Sequence, residues 1–213
     1  MRYALSALLA LCLASPARAQ TIVESWTSVA VPPPPVLVSV MLDPKTTALL
    51  VLDFNGHEAA TSGPCNAATK PRCLASLPAM RRLLGRARSR GLFVVHSTSA
   101  AGTPADIRPE VAPVPGEPVV KAGPDKFIGT ELGALLAQRG VRTLVVTGTA
   151  AEGAVLDTAT DAALHGYDIV VPVDGMSSTE PYAEQYVAWH LTHAPGVAQK
   201  ARLTRVDAIG MGE

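Results

Sequence analysis

From Thr47 to Val206 the apolar residues alternate between short continuous runs and a spacing of three to four. The run TALLVLDF (Thr47–Phe54) is apolar up to Asp53, the pattern of a strand buried on both faces. LPAMRRLLGRARSRG (77–91) follows with helical spacing: Pro78 suits a first turn, Met80, Leu83 and Leu84 share a face, and Gly91 stops it. Further runs predict strands at 92–97, 118–121, 141–148, 167–175 and 201–206. Helical patterns fall between them: 129–140 with Thr130 as cap, 151–166 closed by Gly166, and 179–193 with Thr179 as cap and Pro181 early. Strands and helices in alternation imply an α/β fold. The expectation is a Rossmann-like parallel sheet of about six strands with helices on both faces. Its functional residues should then lie at the C-terminal ends of the strands.

The chain before Thr47 reads differently. Residues 1–19 carry Arg2, an apolar run from Ala4 to Ala14 and Ala17-Arg18-Ala19, the layout of a cleavable secretory signal. The apolar run is short for a membrane span. Residues 20–46 contain VPPPPVLVSV, whose four prolines forbid helix and favour an extended arm. The expected organisation is therefore a signal (1–19), an extended Pro-rich arm (20–46) and one α/β domain (47–213), with the mature protein periplasmic or secreted.

Composition narrows the function classes. Of 213 residues 48% are hydrophobic, enough for one domain with a sizeable core. Lys and Arg (18) balance Asp and Glu (18), and the leader removes two arginines and no acid. That balance offers neither a basic surface for nucleic acid nor one for anionic lipid. Cys12 leaves with the leader. Cys65 and Cys73 remain, eight positions apart in a polar, Pro-flanked loop. In an oxidising compartment a disulfide is the simplest state, with free thiols or a metal clip as alternatives.

Three polar residues fall at expected strand tips or the turn that follows one. Asp53 ends an otherwise apolar strand, where desolvation would suit it to proton transfer; a loop acceptor or cap reads equally well. Lys121 follows EPVV and could hold the charge of Asp53 or of an anionic intermediate, or could be a solvated lysine. The junction TGTAAEGAVLDTAT (147–160) turns a strand into a helix, whose first N–H groups favour negative charge. Glu152 there is either a dipole partner or a catalytic carboxylate. The histidines give weak metal signals. His57 and His96 lie near strand ends, and His190 and His193 share a helix face; core or surface histidines explain all four, and no metal site or cofactor is expected.

Three segments together carry a resemblance to the isochorismatase-like hydrolases: TALLVLDFNGHE, VVKAGPDKFIGTELGALLAQRGVRTLVVTG and GTAAEGAVLDTATDAALHGYDIVV. The resemblance spans about residues 47–206. It implies Asp53 as the family's acid, Lys121 as its lysine and Phe127 as the aromatic before Gly129-Thr130. Gly153, Ala154, Phe127, His96 and Asn55 would then line the substrate pocket. Most of the family is similar to G-x-x-T-x-x-C-V-x-x-T-A at the turn; counted from Gly148, the cysteine position is Ala154. An alanine methyl cannot attack a carbonyl, so a Cys-dependent amidase mechanism is not expected. True isochorismatases, which resemble A-H-x-G there, cleave a vinyl ether without a covalent nucleophile, and Glu152 stands where that branch has His. Asp125-Lys126 departs from the family's Ser-Ala, and Asn55-Gly56-His57-Glu58 from its Gln-rich segment. The resemblance implies a hydrolase in which Asp53 is general acid/base, Lys121 its partner and Glu152 a group that orients water. The rival is a non-catalytic descendant that binds a small ligand or a protein. Dimers are common among such relatives, so a homodimer is compatible with it, though no interface is readable in the sequence.

Overall fold

The computed structural model describes residues 21–56 and 63–212. The expected signal, and His57 and Glu58, lie outside the described residues. The chain divides into two compact units after Pro33. In the first, α1 (Ile22–Ser25) runs into a 3-10 turn, Trp26–Ser28, with Glu24 accepting from the Thr21 backbone at its start.

The second unit is built on the alternation expected. β2 (Thr47–Leu52) is central and all six of its residues are buried. Leu50 and Leu52 face one apolar core while Leu49 and Val51 face another, the period of two that a strand imposes. β3 (Phe93–Ser99), β4 (Val119–Ala122), β5 (Thr143–Thr149), β6 (Asp168–Pro172) and β8 (Ala201–Thr204) complete a parallel sheet ordered β4-β3-β2-β5-β6-β8. α3 (Leu132–Gln138), α4 (Leu156–Leu164) and α5 (Pro181–His193) contribute to the first core. α2 (Pro71–Ser89) contributes to the second. Among the described residues no helix is long and apolar enough to cross a membrane.

Several boundaries differ from the sequence reading. α2 begins at Pro71, not Leu77, because Pro71 takes the first helical position and Cys73 enters the first turn; Pro78 sits inside the helix. The strand expected over 167–175 stops at Pro172, turns through Val173–Gly175, and resumes as β7 (Met176–Ser177), which pairs with the tip of β5. Residues 34–46 belong with the second unit. The Val38 N–H donates to the Leu203 carbonyl (2.9 Å), and β1 (Val40–Leu42) forms a parallel pair with β9 (Ile209–Met211). No alternation in these short segments announced that pairing.

Two glycines are required where the strand tips converge. Leu52 and Gly148 are partners in the β2–β5 ladder, and a Cβ at Gly148 would lie 2.5 Å from the Leu52 carbonyl oxygen. A Cβ at Gly56 would lie 2.2 Å from the carbonyl oxygen of Cys65. Both have positive φ. Cys65 and Cys73 form a disulfide, the simplest of the states expected for them, with Cα atoms 5.3 Å apart. The bridge pins the first turn of α2 to the segment that packs on Gly56. Replacing both cysteines by serine should cost about 2–3 kcal/mol, the loop-closure value for a loop of this size, read as a lowered midpoint in thermal unfolding. An unchanged midpoint under non-reducing conditions would show that the bridge is not formed in solution.

Candidate functional site

The site starts from the end of β2. Asp53, directly after Leu52, has φ 55°, a left-handed conformation that Asp adopts more readily than most residues. Its N–H donates to both the carbonyl and the Oγ of Ser97 on the neighbouring strand (3.2 Å each). The Ser97 hydroxyl donates to Asp53 Oδ1 at 2.6 Å. Lys126 Nζ donates to Asp53 Oδ2 at 2.7 Å and to the Gly123 carbonyl at 2.6 Å. The side chains of Lys126 and Asp53 are 0% and 7% exposed. Burial raises the Asp53 carboxyl above its usual range, while the Lys126 charge and the hydrogen bonds from Lys126 and Ser97 pull it back.

The loop carrying Lys126 is fixed against α4. The Lys126 N–H donates to Thr158 Oγ1 (3.1 Å), and that hydroxyl reaches the Pro124 carbonyl (3.4 Å). A Cβ on Gly153 would touch Pro124 at 3.7 Å. The junction itself is a π-helical turn, Ala151–Val155, running directly into α4, and the preceding Thr149–Ala150 peptide is cis. Thr149 Oγ1 donates to the Pro64 carbonyl (3.3 Å), tying the turn to the disulfide loop. Asp53, Lys126 and the turn thus belong to one set of packed strand tips and loops.

The expected site residues divide sharply. Asp53 stands where the sequence put it. Lys121 does not meet it: on the edge strand β4 it pairs in register with Thr98, its neighbours Val120 and Ala122 are buried, and alternation turns Lys121 to solvent. Lys126, five residues on, makes the ion pair instead. Glu152 is exposed on the first helical turn, as a dipole partner would be. Ala154 is buried, 3% exposed, and Gly153 is half-buried beside Pro124.

Three expected pocket residues are engaged elsewhere. His96 lies on β3 one residue from Ser97, so its ring points to the opposite face, where Nε2 is 2.8 Å from Glu117 Oε2. The Asn55 side chain bonds Ser99 through both its amide nitrogen (3.3 Å) and its oxygen (3.2 Å), which locks the loop after β2 to β3. The Phe127 ring stacks on His165 (5.8 Å between centroids) and approaches Tyr167 (6.2 Å), beyond the C-terminus of α4. Sequence reasoning missed Lys126 and Ser97. The one signal for Lys126 was its departure from the family's small residue; for Ser97 it was a hydroxyl closing the apolar run expected as a strand over 92–97. Among the described residues no group of three or more His, Cys, Asp or Glu could hold a metal ion.

The Glu117 cluster is structural. Arg88 donates to Glu117 through Nε and Nη2 (2.8 and 2.7 Å), and Nη2 also reaches the Ala112 carbonyl. Burial alone would raise the Glu117 carboxyl, but Arg88, the Val114 N–H and His96 outweigh it and bring it down to about 2. Burial lowers the His96 imidazole, opposed by its bond to Glu117.

Comparison with known proteins places this geometry. The model of the isochorismatase domain matches residues 47–201. A streptothricin hydrolase of Streptomyces noursei is 39% identical over 137 residues, covering 60% of this chain and 48% of that protein. A second streptothricin hydrolase from the same organism is 34% identical over 128 residues. The chain spans about half the length of the curated relatives it matches. Among solved structures, an isochorismatase family protein from Desulfovibrio vulgaris superposes with a TM-score of 0.67 at 28% identity, covering 76% of this chain and 95% of that one. N-carbamoylsarcosine amidase from Thermoplasma acidophilum shares the fold, with a TM-score of 0.63 at 22% identity.

The lowered Glu117 carboxyl fixes a pH dependence. Because its folded value lies below the ordinary 4.5, its stabilisation is complete above that value and is lost as pH falls toward about 2. Glu117→Gln should therefore lower stability near neutral pH by about 1.5–3 kcal/mol, the range for hydrogen bonds to a charged group. It should also flatten the loss between pH 4.5 and 2, as urea unfolding at several pH values would show; parallel pH profiles would remove Glu117 as the cause. The match of the isochorismatase domain over most of the second unit, on a parallel sheet with helices, shows that the chain belongs to the isochorismatase domain family, a family of hydrolases.

Proposed function

We propose that the protein hydrolyses a small organic molecule at these strand tips with water activated by Asp53, and without a cysteine nucleophile. The observation that carries this is the buried Asp53–Lys126 pair beside a turn whose residue 154 is alanine. The spacing from Gly148 makes residue 154 the counterpart of the family's cysteine. For an amide substrate, the Asp53 carboxylate takes a proton from water as the oxygen bonds to the carbonyl carbon. The Lys126 ammonium offsets the charge that develops. The C–N bond then breaks and the proton passes from Asp53 to the departing nitrogen. The similarity to the streptothricin hydrolases makes streptothricin the first substrate to try, followed by simple amides, ureides and enol ethers. Export belongs to the same proposal, supported by the leader pattern and by a disulfide that an oxidising compartment would maintain.

The enclosure of the pair favours a second reading. With Lys126 at 0% and the Asp53 side chain at 7% exposure, the fold could retain the ion pair for stability while binding a ligand without turnover.

Activity decides between them. Asp53→Asn should lower kcat/KM by about 100-fold or more, the usual scale of acid–base assistance. The double variant Asp53→Asn/Lys126→Met guards against an unpaired buried lysine that unfolds the chain. Hydrolysis undiminished in both would remove Asp53 from the mechanism. No hydrolysis by the wild type, with streptothricin bound, would favour the ligand-holding reading.

A further inference from the structure

We infer that Ser97 is a positioning residue whose hydroxyl sets both the conformation and the charge state of Asp53. The inference rests on the proposed role of Asp53. One oxygen, Ser97 Oγ, accepts the Asp53 N–H at 3.2 Å and donates to Asp53 Oδ1 at 2.6 Å. It therefore closes a small ring through the Asp53 backbone and side chain. That ring leaves χ1 of Asp53 little freedom and turns Oδ2 toward Lys126. The backbone needs the help. A left-handed φ at a non-glycine residue is disfavoured, and the N–H it exposes must find an acceptor inside the fold. Ser97 supplies that acceptor twice, through its carbonyl and its hydroxyl.

Ser97 is itself fully buried on β3, just beyond the stretch Phe93–His96 that pairs with β2 and in register with Val120 of β4, so its hydroxyl is held in place. The charge that acts on Asp53 among the described residues comes from Lys126, in the loop after β4. His96, the chain neighbour of Ser97, is committed to Glu117 on the opposite face. A serine donor on one oxygen and an ammonium on the other favour the carboxylate, against the burial that opposes it. Without the Ser97 hydroxyl, burial gains weight, Asp53 holds its proton to higher pH, and less of it is ready to accept one from water.

The test uses Ser97→Ala and Ser97→Thr in the full chain. Titration of the Asp53 carboxyl carbon is followed by NMR and assigned by its disappearance in Asp53→Asn. In Ser97→Ala the titration should move up by about one pH unit, the effect of losing one hydrogen bond to the charged form. The acid limb of the hydrolysis profile should move with it. Under the proposed role, kcat should fall roughly 10- to 100-fold with KM little changed, and Ser97→Thr should restore both readings. An Asp53 titration unmoved in Ser97→Ala overturns the inference whatever the activity does. A titration that moves, with Asp53→Asn fully active, keeps the hold of Ser97 on Asp53 and overturns the proposed role of Asp53. A rise in KM with kcat and titration unchanged would make Ser97 a substrate contact instead.

Discussion

A carboxylate and an ammonium removed from water at the tip of the central strand form the constraint on which the site depends. Burying either alone costs several kcal/mol, and the pair is tolerable only if each spare donor and acceptor is matched. Here the match is specific: Ser97 on one oxygen of Asp53, Lys126 on the other, and the Gly123 carbonyl on Lys126. Meeting those demands fixes three separate pieces of chain. The end of β2 must turn left-handed, β3 must present a hydroxyl in register, and the loop after β4 must fold back over the strand tips. Thr158 on α4 then holds that loop through its backbone. Ion pair, loop and helix start are one packed arrangement.

Much of this architecture was legible because hydrophobic runs and helical spacing impose it. The six strands of the main path, their parallel sense and the position of Asp53 follow from the apolar run up to Leu52 and the alternation after it. The lysine did not follow. Lys121 sits in the strand, where family spacing put it, but strand alternation sends it outward between Val120 and Ala122. Only the path of the loop, a tertiary matter, brings Lys126 inward. The same limit explains His96 and Asn55. Both lie near strand tips, yet which face of β3 a ring occupies, and which neighbour takes an amide, depends on register. The start of α2 was misplaced because Pro78 looks like a first-turn proline, while Pro71 lies in a loop-like stretch that the disulfide holds in place.

The disulfide loop gives the site a local support. Cys65 donates its N–H to the Asn55 carbonyl (3.2 Å), two residues beyond Asp53, and the adjacent Pro64 carbonyl accepts from Thr149 at the head of the turn. A covalent link between this loop and α2 therefore steadies both sides of the strand-tip cluster. That suits the proposed chemistry, which relies on positioned water and fixed charges.

The most direct measurement compares hydrolysis by Lys126→Met and Lys121→Met in folded protein, on a substrate that the wild type cleaves. The account predicts that loss of the buried amine at 126 abolishes turnover while loss of the solvent-facing amine at 121 leaves it near wild type. Activity that survives at 126 and disappears at 121 would contradict it.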